Sequence, residues 1–217
     1  MVKLGSGFSK TAIGWKSFGT TETALDEICQ ETLLLIDVGE KSVILASKGS
    51  SKVGTKNTLD VQVFSAGPGI VAASYFHYCG SKLCNDASST SVLLDSLSLS
   101  DSSELGTMLC PVCLHFRGSC SEHSKFILCP KDTHCYFSDM TIEGGGINTI
   151  FSLDGCLPDS AKTLLKNQTS IGVFSAVEAS DISNSPSHVL IRSTLLAWML
   201  GLRAFLSLLS TEICPLC

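Results

Sequence analysis

Cysteine spacing constrains this chain more than any other feature of its sequence. The 217 residues include eleven cysteines, and six of them lie between Cys110 and Cys156. The cluster begins with a Cys-Pro-Val-Cys motif at Cys110 and Cys113. In a secreted chain such a cluster indicates disulfides, whereas in a cytosolic chain it indicates a metal or redox site.

Three kinds of site compete for these cysteines. An intracellular zinc-binding protein would use Cys110, Cys113, Cys129 and Cys135, but a zinc ribbon needs a second Cys or His pair at about 12–20 residues, and the later spacings differ. A thioredoxin-like site needs a helix directly after the motif, which the sequence does not predict. A disulfide framework is therefore favoured, and zinc binding stays as the alternative from another functional class.

An internal repeat predicts how the chain is organised. The segment Cys29–Ser50 and the segment Cys135–Cys156 align without gaps at an offset of 106 residues. Each copy has two apolar-rich runs around a glycine-containing turn, which is the pattern of a β-hairpin. The first copy carries Thr23 and Ser50 where the second carries Cys129 and Cys156. This joint loss favours a Cys129–Cys156 disulfide that the first copy lacks.

These residues together resemble the Ly6/uPAR (LU, three-finger) superfamily. The residues on which the resemblance rests are the Cys110–Cys113 motif, Cys129-Pro130, Gly155-Cys156, and the closing Cys84-Asn85. The resemblance extends to a two-domain, GPI-anchored subgroup that includes a testis-expressed sperm-maturation glycoprotein and a neutrophil surface antigen. It implies an all-β fold with two small disulfide-rich domains.

The resemblance also implies a pairing of cysteines. The implied disulfides are Cys110–Cys135, Cys113–Cys120, Cys129–Cys156 and, in the first domain, Cys79–Cys84. Cys29 would pair with a cysteine that opens the first domain, but residues 1–28 contain none, so we expect Cys29 to be unpaired and the first domain to be incomplete.

The expected domain boundaries follow from the repeat and the composition. Residues 1–20 are an atypical N-terminus, since they contain no apolar run of about 7–15 residues and the signal peptide is missing from this sequence. The first LU domain spans residues 21–98 and the second spans 106–180. Residues 99–105 are a linker, at the end of a serine-rich stretch. Residues 181–217 are a hydrophobic tail.

The tail predicts a GPI-attachment signal. The small residues Ser183, Asn184 and Ser185 precede a short spacer and the apolar run 189–209, which is the arrangement of such a signal. A transmembrane anchor and a buried tail are the alternatives, and two arginines in the run argue against a stable span. The plasma membrane, on its extracellular face, is the expected location.

Further site expectations concern a glycan and a binding tip. Asn167 begins the sequon Asn-Gln-Thr and is the expected glycosylation site. Gly145, Gly146 and Ile147 form the expected binding tip of the second hairpin, and residues 38–41 form that of the first. Glycines at a tip permit close backbone approach, although they also serve as an ordinary turn.

The remaining expectations concern functional class. The net charge of −5 and the lack of a basic stripe argue against nucleic acid as a partner. No catalytic motif, cofactor motif or small-molecule substrate is predicted, so we expect no enzyme activity. The resemblance implies binding of cell-surface or extracellular proteins, in sperm maturation or sperm–egg interaction, with a leukocyte-type adhesion or receptor-modulating antigen as the alternative.

Overall fold

The computed structural model describes residues 1–15, 19–20, 22–52, 57–100, 104–120 and 124–181. These residues form an almost entirely β structure, as the sequence predicts. The strands are β1 Val2–Gly5, β2 Ile28–Asp37, β3 Ser42–Ser51, β4 Thr58–Ala66, β5 Val71–Cys79, β6 Leu105–Phe116, β7 Lys125–Pro130, β8 Thr133–Gly144, β9 Ile147–Pro158, β10 Ser170–Ile171 and β11 Phe174–Asp181. One helical turn, α1, spans Ser91–Leu94.

Two antiparallel sheets contain all of these strands. The first sheet has the order β1-β3-β2-β5-β4 and the second has the order β10-β11-β8-β9-β6-β7. The predicted repeat is present in both. Cys29 lies opposite Ser50 in the β2–β3 hairpin, and Cys135 lies opposite Cys156 in the β8–β9 hairpin. The two hairpins therefore share one register at the offset of 106 residues.

The first sheet is buried on both faces, which explains why β2 reads as a continuous apolar run. Leu34 and Ile36 point to a core shared with the second sheet, whereas Leu33 and Leu35 point to a smaller core on the opposite face. The smaller core is closed by Phe8 and Trp15 from the N-terminal segment.

The expectation that residues 1–20 lie outside the first domain is wrong. Residues Val2–Gly5 pair with β3 as an edge strand, and Phe8 and Trp15 are buried. The backbone N–H of Trp15 donates to the carbonyl oxygen of Ser88 at 2.9 Å. The pairing partner lies about forty residues away in sequence, so local pattern alone does not reveal this strand.

The serine-rich stretch before the second sheet is also more structured than a linker. Its helical turn α1 packs Leu93 into the smaller core of the first sheet, together with Ala87. Leu105, which we assigned to the linker, begins β6.

The two sheets meet along a shared core. Its buried residues from the first sheet and its loops are Leu34, Ile36, Val38, Val43, Leu45, Phe64, Ile70 and Ala72, and those from the second include Leu114, Tyr136, Met140, Ile142, Ile147, Phe151 and Leu153. We call this contact the seam. Hydrogen bonds also cross it: Val173 donates from its backbone N–H to Thr32 Oγ1 at 3.3 Å, and Ser47 Oγ donates to the carbonyl oxygen of Gly145 at 2.9 Å.

Candidate binding surface and disulfide framework

Four disulfides hold the described chain, in the pairing that the resemblance implies. Cys110 is bonded to Cys135, Cys113 to Cys120, and Cys129 to Cys156 in the second sheet, and Cys79 is bonded to Cys84 in the first. The Cα–Cα separations of 5.3–6.1 Å are normal for disulfides. Cys110, Cys129 and Cys156 are fully buried as a cluster, so this end of the second sheet is stabilised by covalent bonds as well as by packing.

The disulfide pairing uses all four cysteines of the alternative zinc site. Cys110, Cys113, Cys129 and Cys135 belong to three different disulfides. Sulfur atoms of Cys110, Cys129 and Cys156 do lie within 4.8 Å of one another. Zinc binds thiolates, and sulfurs in disulfides are not thiolates. The four cysteines are therefore not available as a zinc-ligand set in the oxidised chain.

Cys29 is free in the structure, as we expected from the missing opening cysteine. It lies opposite Cys79 on β5, but Cys79 is already bonded to Cys84. The registers relate β1 to β6. Val2 pairs with Leu45, and Phe116 pairs with Phe151, which lies 106 residues after Leu45. Strand β1 thus occupies the place of the end of β6 and carries no cysteine that corresponds to Cys110, the partner of Cys135.

Ser50 shows what replaces the lost disulfide of the first hairpin. Its hydroxyl donates a 2.6 Å hydrogen bond to the carboxylate of Glu27. Thr23, the other substituted position, is exposed. A polar contact near the same end of the hairpin thus stands where the second sheet has a covalent bond.

The prediction that Gly145, Gly146 and Ile147 form a free binding tip is wrong, because part of this tip packs against the first sheet. Ile147 is only 9% exposed and belongs to the shared core. Gly145 has a φ of 54°, and a Cβ atom there would lie 2.4 Å from Ser47 Oγ. The tip of the β8–β9 hairpin therefore docks on the first sheet. Gly145 and Gly146 are both exposed, but only Gly146 has nothing within 4 Å of an added Cβ.

The β2–β3 turn at residues 38–41 is likewise not a free tip. Val38 is buried in the shared core, and its backbone N–H donates to the carbonyl oxygen of Lys41 at 2.9 Å. Glu40 forms an ion pair with Lys125 at the start of β7. Both predicted tips thus contribute to the seam.

Among the described residues, a group of exposed apolar side chains lies instead on the β6–β7 ribbon. Leu109 lies directly opposite Leu128, and Phe126 lies opposite Pro111. The exposed apolar side chains of this ribbon, each 45–65% accessible, are Leu105, Met108, Leu109, Phe126 and Leu128. We call them the ribbon face. Clusters of this kind on a soluble surface mark interaction sites.

Polar groups border the ribbon face. The exposed ion pair between Lys125 and Glu40 lies at one end of β7, and the exposed pair between Lys131 and Glu104, with an Nζ–Oε2 distance of 3.3 Å, lies near the other. Strand β7 is also an edge of its sheet, so one side of its backbone is not used in the sheet. An apolar centre with a charged rim is the usual anatomy of a protein interface.

The ribbon face is not apparent from the sequence. The ribbon face forms because apolar residues of two segments about twenty residues apart pair across β6 and β7. That pairing depends on a register shift between Leu105 and Leu109, which the sequence does not show. Alternation within Lys125–Pro130 was the only local indication.

A half-buried carboxyl lies beside the Cys113–Cys120 disulfide. Asp154 is opposite Cys113 across the β6–β9 pair. Burial raises the pKa of Asp154 to about 6, and the negative charge of Asp139 adds to the effect. No positively charged partner of Asp154 contributes to this shift, so the carboxyl is costly to ionise.

The expected glycosylation site is accessible. Asn167 and Thr169 are both exposed, and Asn167 ends a turn in which it has a φ of 61°. The expected attachment residues Ser183, Asn184 and Ser185, and the apolar run after them, lie outside the described residues. Within the described part of the chain, no helix has the length and hydrophobicity needed to cross a bilayer.

Comparisons with known proteins agree with this architecture. The sequence model of the u-PAR/Ly-6 domain matches residues 106–186. The chain is 45% identical to the CD177 antigen of Mus musculus over 224 aligned residues, which cover 100% of this chain and 27% of that protein. It is 33% identical to the testis-expressed protein 101 of Homo sapiens, covering 70% of this chain and 60% of that protein. It thus spans less than two thirds of either relative.

A solved structure shows the same fold. The crystal structure of mouse TEX101 superposes with a TM-score of 0.71 at 29% identity, covering 83% of this chain and 94% of that one. The superposition includes both sheets, since either sheet alone is far shorter than the matched length. With its paired hairpins, its disulfide framework and these relatives, the chain belongs to the Ly6/uPAR family, in its two-domain subgroup.

Proposed function

We propose that this chain is a GPI-anchored cell-surface glycoprotein that binds protein partners through the ribbon face. The observation that supports the proposal is the cluster of five exposed apolar side chains on β6 and β7. Family members named CD177 antigen and testis-expressed protein 101 support the surface setting. The function is binding without catalysis.

The chemistry of the ribbon face selects the kind of partner. Because β7 is an edge strand, a partner segment in extended conformation can add to it by main-chain hydrogen bonds. Apolar side chains at alternate positions of that segment would then cover Phe126 and Leu128. The partner is therefore an extracellular protein that offers an apolar β-edge or an extended loop.

Two clefts of the described structure have linings without the commonest catalytic side chains. One, of about 370 Å³, is lined by residues that include Gln30, Ser50 and Phe174. Another, of about 490 Å³, is lined by residues that include Phe64, Pro158 and Lys166. Neither lining contains a histidine, a cysteine or a carboxylate, which are the usual general bases and nucleophiles of enzymes.

The setting we propose first is sperm maturation or sperm–egg interaction, and the second candidate is a leukocyte-type adhesion or receptor-modulating antigen. The names of the relatives divide between the two, since one is testis-expressed and the other an antigen. The partner-bearing cell distinguishes the settings: soluble chain binds germ cells or eggs in the first case and leukocytes in the second.

The membrane attachment we propose uses Ser183, Asn184 or Ser185 as the lipid-bearing residue. Phosphatidylinositol-specific phospholipase C should then release the protein from the cell surface. Retention after this treatment, with an epitope placed after residue 209 still present, would support a transmembrane anchor instead.

The glycan we propose is carried by Asn167. Its amide nitrogen displaces the diphosphate of a lipid-linked oligosaccharide donor at C1 of the first sugar and loses a proton. The exposure of both Asn167 and Thr169 supports this assignment.

The test of the ribbon face compares substitutions of apolar side chains that are similarly exposed. Phe126→Ser and Leu128→Ser should reduce binding of the soluble chain to partner-bearing cells by about tenfold each, since truncating a central apolar contact costs about 1–2 kcal/mol. Leu59→Ser is the matched control, because Leu59 is 61% exposed on β4, the edge strand of the first sheet. Unchanged binding in both ribbon variants, with unchanged unfolding in urea, would refute the ribbon face as the site.

A further inference from the structure

Hydrogen bonds to Glu178 hold the turn that carries Asn167. Leu164 and Leu165 are buried, and their backbone N–H groups donate to the two carboxylate oxygens of Glu178 at 2.5 and 2.9 Å. The hydroxyl of Tyr136 donates to the same carboxylate. The N–H of Asn167 in turn donates to Thr163 Oγ1 at 3.0 Å. A sugar attached to Asn167 therefore starts from a fixed position.

This position is the wall of the larger cleft, which lies on the seam. Asn167 and Pro158 belong to the second sheet and its loops, and the opposite wall is the end of β4, from Phe64 to Gly67. The volume of about 490 Å³ is that of a small-molecule site. A polar contact joins the two walls here, from Lys166 Nζ to the carbonyl oxygen of Val63 at 3.1 Å.

The lining of the cleft suits a neutral sugar. Ser65, Ala66, Gly67, Ser160 and Ala161 are small, so a flat ring can approach the backbone on both walls. Of the two cations of the lining, Lys166 is held by its hydrogen bond to Val63, and Lys162 has a long side chain that can move to the rim of the cleft. An N-acetylglucosamine ring has one apolar face and a hydroxylated edge, which match a wall of alanine and proline and a rim of polar groups.

We propose that the first N-acetylglucosamine of the Asn167 glycan occupies this cleft and holds the end of β4 against the second sheet. The inference rests on the glycosylation proposed above and adds a role for it. The sugar covers the Lys166–Val63 hydrogen bond and shields it from water, which strengthens it. It also covers the end of β4, an edge strand whose Val63 and Ala66 carbonyl oxygens accept hydrogen bonds from Lys166 and Ser100, while the β7 edge stays free for a partner.

The experiment measures hydrogen exchange at the end of β4 in protein secreted from mammalian cells behind a supplied leader. Four samples are compared: the glycosylated chain, the same chain trimmed by an endoglycosidase to one N-acetylglucosamine, Asn167→Gln, and Asn167→Gln with Ile150→Thr. The last creates an Asn-Thr-Thr sequon at Asn148, and both changed positions are exposed. The relocated glycan controls for general effects of glycosylation.

We expect slower hydrogen exchange for peptides covering residues 63–68 in the two samples with a sugar on Asn167, the untrimmed and the trimmed chain. The difference from Asn167→Gln should be about fivefold, because the sugar suppresses local opening of the edge. The relocated glycan should not restore this protection. Equal exchange in trimmed and Asn167→Gln protein would overturn the proposal, as would restoration by the glycan at Asn148. An unoccupied Asn167 would overturn it as well. None of these results depends on the ribbon face, which the cell-binding assay tests separately.

Discussion

The backbone N–H of Ile70 donates a 2.8 Å hydrogen bond to the carbonyl oxygen of Cys156. This contact joins the β4–β5 loop of the first sheet to the buried disulfide cluster of the second. Gly69 makes it possible, since its φ of 90° lies in the left-handed region and a Cβ atom there would be 2.1 Å from the same carbonyl oxygen. The seam is therefore built around a close approach that only glycine allows.

Gly69→Ala should lower the free energy of unfolding by about 3 kcal/mol, because backbone strain and displacement of the Cys156 carbonyl add together. Gly39→Ala is the matched control. Gly39 has a φ of 95°, but nothing lies within 4 Å of an added Cβ, so strain alone should cost about 1 kcal/mol. Urea unfolding of the two variants measures the difference. If the two variants lose the same free energy of unfolding, the backbone around the Cys156 carbonyl moves away from the new Cβ atom without cost.

The sequence revealed what is local or periodic in this fold. The cysteine spacing and the repeat at 106 residues predicted both central hairpins, and the hairpins share one register as the overlay requires. Residues such as Cys135 and Cys156 carry that information themselves, because a cysteine at a fixed spacing has few structural roles.

What the sequence did not reveal depends on the other sheet. Ile147 follows three glycines, which is the pattern of an exposed turn, and its burial comes from the first sheet against which it packs. Val2–Gly5 is too short to signal a strand, and it forms one only by pairing with β3. The ribbon face required the register between Leu109 and Leu128. Tertiary contacts decide all three.

Ile147→Asp should destabilise the fold rather than act on partner binding. The substitution places a carboxylate in the shared core without a partner, and we expect a loss of about 3 kcal/mol or more, with reduced secretion. Ile150→Asp is the control on the same strand, because Ile150 is 47% exposed, and it should change stability by about 0.5 kcal/mol or less. Normal secretion and stability of Ile147→Asp would show that the hairpin tip is free after all.

Asp154→Asn should stabilise the chain at neutral pH. Burial raises the pKa of Asp154 to about 6, so between about pH 4 and pH 6 the folded chain binds a proton that the unfolded chain has released. The free energy of unfolding contributed by this group therefore falls as pH rises through that window. At pH 7.5 the variant should be more stable by about 1 kcal/mol, after allowing for the water that reaches this partly exposed carboxyl.

The measurement for Asp154 is urea unfolding of both proteins at pH 4 and pH 7.5. The difference between them should be largest at pH 7.5 and small at pH 4, where the carboxyl of the folded chain is protonated and neutral like the amide. A stabilisation that is the same at both pH values would point to packing rather than to ionisation as its cause.

Cys29 should form disulfides between chains when this sequence is secreted. Its thiol is partly exposed, and its cross-strand neighbour Cys79 is bonded to Cys84. An unpaired thiol in an oxidising compartment tends to pair between molecules. We expect a dimer on non-reducing gels that reducing agent converts to monomer, and only monomer for Cys29→Ser. Dimers that persist in Cys29→Ser would implicate Cys214 or Cys217. A monomeric wild type with Cys29 bonded internally would contradict the disulfide framework described for the first sheet.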